Sequence, residues 1–174
     1  QPYDRNNQLI RHDHIQSNTC AVPNYKTNAD KKLVLDMPSP INRGNEYGLL
    51  GIALQHKYTH NGEFFVYYSA NDDKKGSPSR RSVVSRFKVS NGDPRKADPK
   101  SEERIWVGEP DPYGNHNGGC IEFGPDGFLY ISLGDSGAGG DPQSTGPNQT
   151  DWWASTLRIR VDQLAQDCFS LGET

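Results

Sequence analysis

The apolar residues of this chain fall in short clusters, separated by polar stretches rich in glycine and proline. Lys32-Leu33-Val34-Leu35-Asp36 predicts a strand, and a loop carrying Pro38, Pro40 and Gly44 follows it. Gly51-Ile52-Ala53-Leu54 reads as a short buried strand. Glu63-Phe64-Phe65-Val66-Tyr67-Tyr68-Ser69, made of aromatic and β-branched residues, reads as another, entered through a turn at Asn61-Gly62. Residues 71–81 (NDDKKGSPSRR) predict a solvated loop, and Ser82 to Val89 alternates as an amphipathic strand. The stretch NGDPRKADPKSEE predicts turns, with a short strand at Arg104 to Val107 after it. Residues 1–32 are polar and read as an irregular N-terminal segment. No segment sustains the 3.6-residue apolar period of a long helix.

A hairpin is the clearest element. Cys120-Ile121-Glu122-Phe123 and Phe128-Leu129-Tyr130-Ile131-Ser132-Leu133 flank Gly124-Pro125-Asp126-Gly127, a sequence that favours chain reversal. GIALQHKYTHNGEFFVYYS has the same plan of small apolar strand, turn and aromatic strand, which makes a weak internal repeat. The turns at Gly62 and Gly127 lie farther apart than the roughly 40 to 50 residues of familiar propeller repeats, and an inserted loop accounts for the excess. Recurring antiparallel hairpins predict an all-β chain arranged as propeller blades.

Composition narrows the function classes. The 174 residues suit one domain with a real core. No apolar run approaches the roughly 18 residues of a membrane-spanning helix. A net charge of -3 with interspersed signs leaves no basic stripe for nucleic acid. Cys20, Cys120 and Cys168 lack C-x-x-C spacing, which argues against zinc; they allow at most one internal disulfide and leave one free or intermolecular thiol. Asn148-Gln149-Thr150 is a glycosylation sequon that acquires meaning if the chain is secreted. No signal peptide opens the sequence, although a mature secreted chain would also look like this, and the absent initiator Met points to processing or a fragment.

Candidate chemistry concentrates in GNHNGGCIEFGPDGFLYISLGDSGAGGDP. His116 precedes one hairpin strand and Asp135 follows the other, so closure of the hairpin should bring both to one edge of the sheet. An imidazole oriented by a carboxylate is a general-base arrangement. The bland alternative is an exposed histidine that caps a strand. Asp135 and Asp141 offer oxygen ligands for a hard cation such as calcium, and an acidic turn holding only water is an equal reading. The loop is not a phosphate loop, because no Lys follows its glycines. Ser136 lies outside a Gly-x-Ser-x-Gly elbow and is discounted as a nucleophile.

Beyond these local readings, GNEYGLLGIALQHKYTHNGEFFVYYS, VVSRFKVS, NHNGGCIEFGPDGFLYISLGDSGAGGDP and LRIRVD together resemble the glucose/sorbosone dehydrogenase family. That family comprises soluble sugar dehydrogenases dependent on pyrroloquinoline quinone (PQQ) and hedgehog-interacting-protein-like proteins. The resemblance runs from about Leu33 to Asp162, leaving residues 163–174 as a tail. It implies part of a six-bladed β-propeller, since 174 residues supply three or four blades at most. By motif it implies His116 as catalytic base, Asp135 as its orienting carboxylate, and Glu46, Asn115 and His116 beside the cofactor, with calcium as a second cofactor. The chain departs from the family pattern at Tyr47, Cys120, Arg160 and the segment Asp151-Trp152-Trp153-Ala154-Ser155.

Two functions follow from the resemblance. One is oxidation of an aldose at C1 with PQQ and calcium. The other is a secreted, non-enzymatic scaffold of the hedgehog-interacting kind with a protein partner. The sequon and the cysteines suit a secreted, extracellular or periplasmic location; His116 and Asp135 favour chemistry. The fold alone does not choose between them.

Overall fold

The computed structural model describes residues 33–37, 41, 44, 46–71 and 80–162. Two antiparallel sheets follow each other along the chain. The first contains β1 (Leu49–Leu54), β2 (Glu63–Asn71), β3 (Arg80–Val89) and β4 (Ala97–Pro110), hydrogen-bonded in that order. The second contains β5 (Cys120–Phe123), β6 (Leu129–Ser132) and β7 (Thr156–Ile159), again in chain order. The only helix among the described residues is a single turn, α1 (Tyr58–Asn61), which Gly62 ends in the left-handed region at φ +65°.

Burial explains why β2 carries so many large side chains. Its residues alternate between two apolar layers. Phe65 and Tyr67 point into a layer shared by the two sheets, with Ala53, Val84, Ile121, Leu129, Ile131 and Val161. Phe64, Val66 and Tyr68 point to the opposite face, where they meet Val83 and Phe87. Burying each such large side chain contributes about 1.5–3 kcal/mol. The shared layer stacks the sheets as neighbouring propeller blades, the first with its full four strands. The two hairpins of the internal repeat occupy equivalent places, β1–β2 in one blade and β5–β6 in the next. Sequence length alone allows three or four blades; the described residues form two sheets.

At the seam the backbones approach closely. A Cβ on Gly51 would lie 2.2 Å from the carbonyl oxygen of Gly119, so only glycine lets β1 meet the segment entering β5.

Two expected elements differ. Leu33 to Met37 form no strand; Lys32 lies outside the described residues. Leu33 and Val34 are exposed, and among the described residues the segment is tied by one backbone bond, from Ala97 N to Val34 O at 2.7 Å. An apolar run without a partner ladder does not become a strand. Conversely, residues 97–103, expected as turns, belong to β4. Pro99 is tolerated there because the β3–β4 pairing shifts register between Arg86 and Lys88, while Ser101 Oγ accepts the Lys88 N–H at 2.8 Å in place of a ladder carbonyl. Arg86 and Glu103 add an ion pair across the two strands.

Candidate active site

The hairpin β5–β6 sets the geometry. Cys120 pairs with Ser132, and the Gly119 N–H donates to Ser132 O at 3.2 Å, extending the ladder toward the loops at that edge. A Cβ on Gly134 would lie 1.9 Å from His116 O, so glycine is what allows the two loops to touch. There His116 Nδ1 bonds Asp135 Oδ1 at 2.7 Å.

The dyad is oriented from both sides. Asp135 Oδ1 also accepts the Gly137 N–H at 3.1 Å, and the bonds from His116 and Gly137 hold its carboxyl below the usual carboxylate range. An ionised Asp135 is an acceptor only, so Nδ1 donates to it, and in the neutral imidazole Nε2 presents its lone pair. Nε2 has no partner among the described residues, and the His116 side chain is 42% exposed. The ring is therefore both poised and reachable.

His116 adopts φ +55°, an unusual conformation for a residue with a side chain. Its surroundings over-determine it. Glu46 Oε2 accepts its N–H at 2.7 Å. The next residue, Asn117, is 1% exposed; its carbonyl accepts the Tyr67 hydroxyl at 2.7 Å and its amide donates to Asp111 Oδ2 at 3.3 Å. Burial pushes the Tyr67 phenol up, which keeps it a donor. Asp111 Oδ2 also takes the Arg80 Nε–H at 3.1 Å, and Arg80 reaches on to the Tyr113 carbonyl and lies 4.1 Å over the Tyr47 ring. Burial outweighs the guanidinium and pushes the Asp111 carboxyl up to about 6. Asp111, Asn117, Arg80 and Tyr67 form a clamp beneath His116 that sequence reading missed. Only Asn117, wedged between His116 and Gly118-Gly119, gave a local signal; Asp111 lies shortly before it in the chain without one, and Tyr67 and Arg80 come from distant strands.

The remaining expected residues are placed as follows. Asn115 Oδ1 accepts the Ala138 N–H at 3.1 Å, pinning the two loops together. Asp141 turns onto its own loop: Oδ1 accepts the Thr145 N–H and hydroxyl at 2.8 and 3.0 Å, and Oδ2 accepts the Gly146 N–H at 2.9 Å. The single Thr145 hydroxyl proton is shared, since Oγ1 also lies 2.9 Å from Asp135 O. Ser136 is fully buried, unlike an attacking nucleophile. Cys120 is free and exposed, while Cys20 and Cys168 lie outside the described residues.

The donor set fits the two expected cofactors differently. An exposed imidazole with a bare Nε2 suits the proton abstraction that accompanies hydride transfer to a quinone. The three carboxylates of PQQ need counter-charge, and Arg80, the cation of this cluster, is already engaged by Asp111. Calcium takes six to eight oxygen ligands. Both Asp141 oxygens are occupied by the loop, and among the described residues no cluster of three or more His, Cys, Asp or Glu could hold a metal. The Asp135–Asp141 loop by itself supplies two carboxylates toward such a set.

The glucose/sorbosone dehydrogenase family matches residues 18–163. The chain is 29% identical over 162 residues to the HIPL1 protein of Arabidopsis thaliana, covering 75% of this chain and 23% of that protein. It is 33% identical over 126 residues to the hedgehog-interacting protein of Homo sapiens, covering 71% and 18%. The PQQ-bound aldose sugar dehydrogenase of Streptomyces coelicolor superposes with a TM-score of 0.56 at 27% identity, covering 73% of this chain and 34% of that one. The chain thus spans about a fifth of the curated relatives and about a third of the solved enzyme. It belongs to the glucose/sorbosone dehydrogenase family and carries part of that family's β-propeller.

Proposed function

We propose that this chain contributes the base-bearing blades of a PQQ-dependent aldose dehydrogenase acting outside the cytoplasm. The observation that carries the reading is the 2.7 Å bond between His116 Nδ1 and Asp135 Oδ1, with Nε2 left open. His116 Nε2 takes the proton of the anomeric hydroxyl, and ionised Asp135 stabilises the imidazolium that results. When bound, PQQ would supply the acceptor for the hydride leaving C1, and the aldose would become a lactone. Glu46 fixes the His116 backbone, and Asn115 holds the loop of Asp135 against that of His116. Residues 33–162 are the working segment in this reading, with 1–32 and 163–174 outside it. Calcium has no step in this reading.

The second reading is a secreted scaffold with a protein partner, favoured by the 33% identity to a hedgehog-interacting protein. One experiment separates the two. The complete protein, reconstituted with PQQ and calcium, is assayed for aldose-dependent dye reduction. Activity that falls roughly 10²–10⁴-fold in His116→Gln supports the enzyme. A reconstituted wild type that oxidises no aldose rejects it in favour of the scaffold.

A further inference from the structure

We propose that Asn148 carries an N-linked glycan, rooted on the loop that braces Asp135. This rests on the extracytoplasmic reading above but not on the catalytic one. Asn148-Gln149-Thr150 supplies the acceptor sequence, and Gly146 to Thr150 are all exposed. Asn148 therefore sits on a projecting turn, where a bulky polar group displaces no core packing.

The local bonds are compatible with the modification. Asn148 Oδ1 accepts the Thr150 N–H at 2.9 Å and the Thr150 hydroxyl at 2.7 Å. Asn148 Nδ2 donates to Asp151 Oδ2 at 2.6 Å. In the transfer, Nδ2 forms a bond to C1 of the first sugar of a lipid-pyrophosphate-linked oligosaccharide. The C1–oxygen bond to the pyrophosphate breaks, the lipid pyrophosphate leaves, and one amide proton is released. The second amide proton remains, so the modified side chain keeps a donor for Asp151.

The position matters for the candidate active site. The Asn148 N–H donates to Thr145 O at 3.1 Å, and Thr145 Oγ1 shares its proton between Asp135 O, 2.9 Å away, and Asp141 Oδ1. The glycan root is thus two hydrogen bonds from the residue that orients His116. A glycan there obstructs a broad protein surface docking on this loop more than it obstructs a single sugar.

The test expresses the complete protein in animal cells in two forms, one from its own reading frame and one behind an added secretion leader. Glycans are removed enzymatically in heavy-oxygen water, which tags each formerly glycosylated asparagine, and the peptide containing residue 148 is read by mass spectrometry. The expected result is a tagged residue 148 in secreted protein of both forms. Near-complete loss is expected in Asn148→Gln and Thr150→Ala, with retention in Thr150→Ser, whose hydroxyl is kept. An untagged Asn148 in both secreted forms overturns the proposal at the site itself. Cytosolic retention of the natural form alongside a tagged leader-driven form also overturns it, and assigns the failure to the localisation reading.

Discussion

The two blades share a hairpin plan and use it differently. In the first, β2 is buried on both faces from Phe64 to Ala70, between the inter-blade layer and a second apolar layer behind it. In the second, β6 alternates: Leu129 and Ile131 are fully buried against the first blade, while Tyr130 and Ser132 are only partly covered. The first blade is thus packed into a core, and the second leans on it. The loops follow the same division. The candidate dyad is built on the two loops of the second hairpin, while the first blade supplies its supports, Tyr67 and Arg80. A strained, exposed histidine stays in place because a densely packed neighbour holds the residue beside it.

If that division holds, the largest stability effect belongs to the shared layer. Phe65→Ala should cost the complete protein about 3–5 kcal/mol in urea unfolding, because Phe65 is fully buried and packs edge-on against Phe123. Tyr130→Ala on the partly covered face should cost distinctly less, and equal costs would erase the contrast between blades.

The clamp comes next. Asp111→Ala removes one partner of a buried pair and should destabilise by about 3 kcal/mol or more. Its pH dependence gives a sharper test. Folding raises the Asp111 pKa from 3.8 to about 6, so across that window the folded state holds a proton that the unfolded state has released. The Asp111 contribution to stability therefore declines as pH rises from about 4 to about 6 and is level above that. Wild type should lose stability relative to Asp111→Asn across this window; a difference that stays constant with pH would sink the assignment.

A smaller effect is expected at the seam. Gly51→Ala forces a Cβ toward Gly119 O and should cost about 1–3 kcal/mol. Aldose-dependent dye reduction should fall with it, since Gly119 follows the loop that presents His116. The smallest effect separates the dyad itself. Asp135→Asn should reduce turnover less than His116→Gln, because the imidazole persists when its orienting charge is gone. A loss in Asp135→Asn as large as in His116→Gln would mean that the carboxylate does more than orient.

Much of the hairpin architecture was legible in the sequence. Alternation marked β3, the aromatic run marked β2, and Gly-Pro-Asp-Gly fixed the hairpin that predicts the approach of His116 and Asp135. These signals are local: side-chain period and turn chemistry act over a few residues. The same local logic failed where pairing decided the outcome. Leu33 to Met37 have strand-like residues and no ladder, whereas Ala97 to Glu103 look like turns and gain a ladder through side-chain bonds and register shifts.

The sequence by itself determined an all-β chain, its family, and the pair of residues most worth placing. Only the tertiary structure decided what holds that pair. Asp111, Asn117, Arg80 and Tyr67 are polar residues whose value depends on which distant groups surround them once water is excluded. Asp141, which the sequence offers as a metal ligand, instead spends its oxygens on the N–H groups of its own loop. Turn and strand propensities are written residue by residue, but desolvation and hydrogen-bond partnership exist only after the blades have packed.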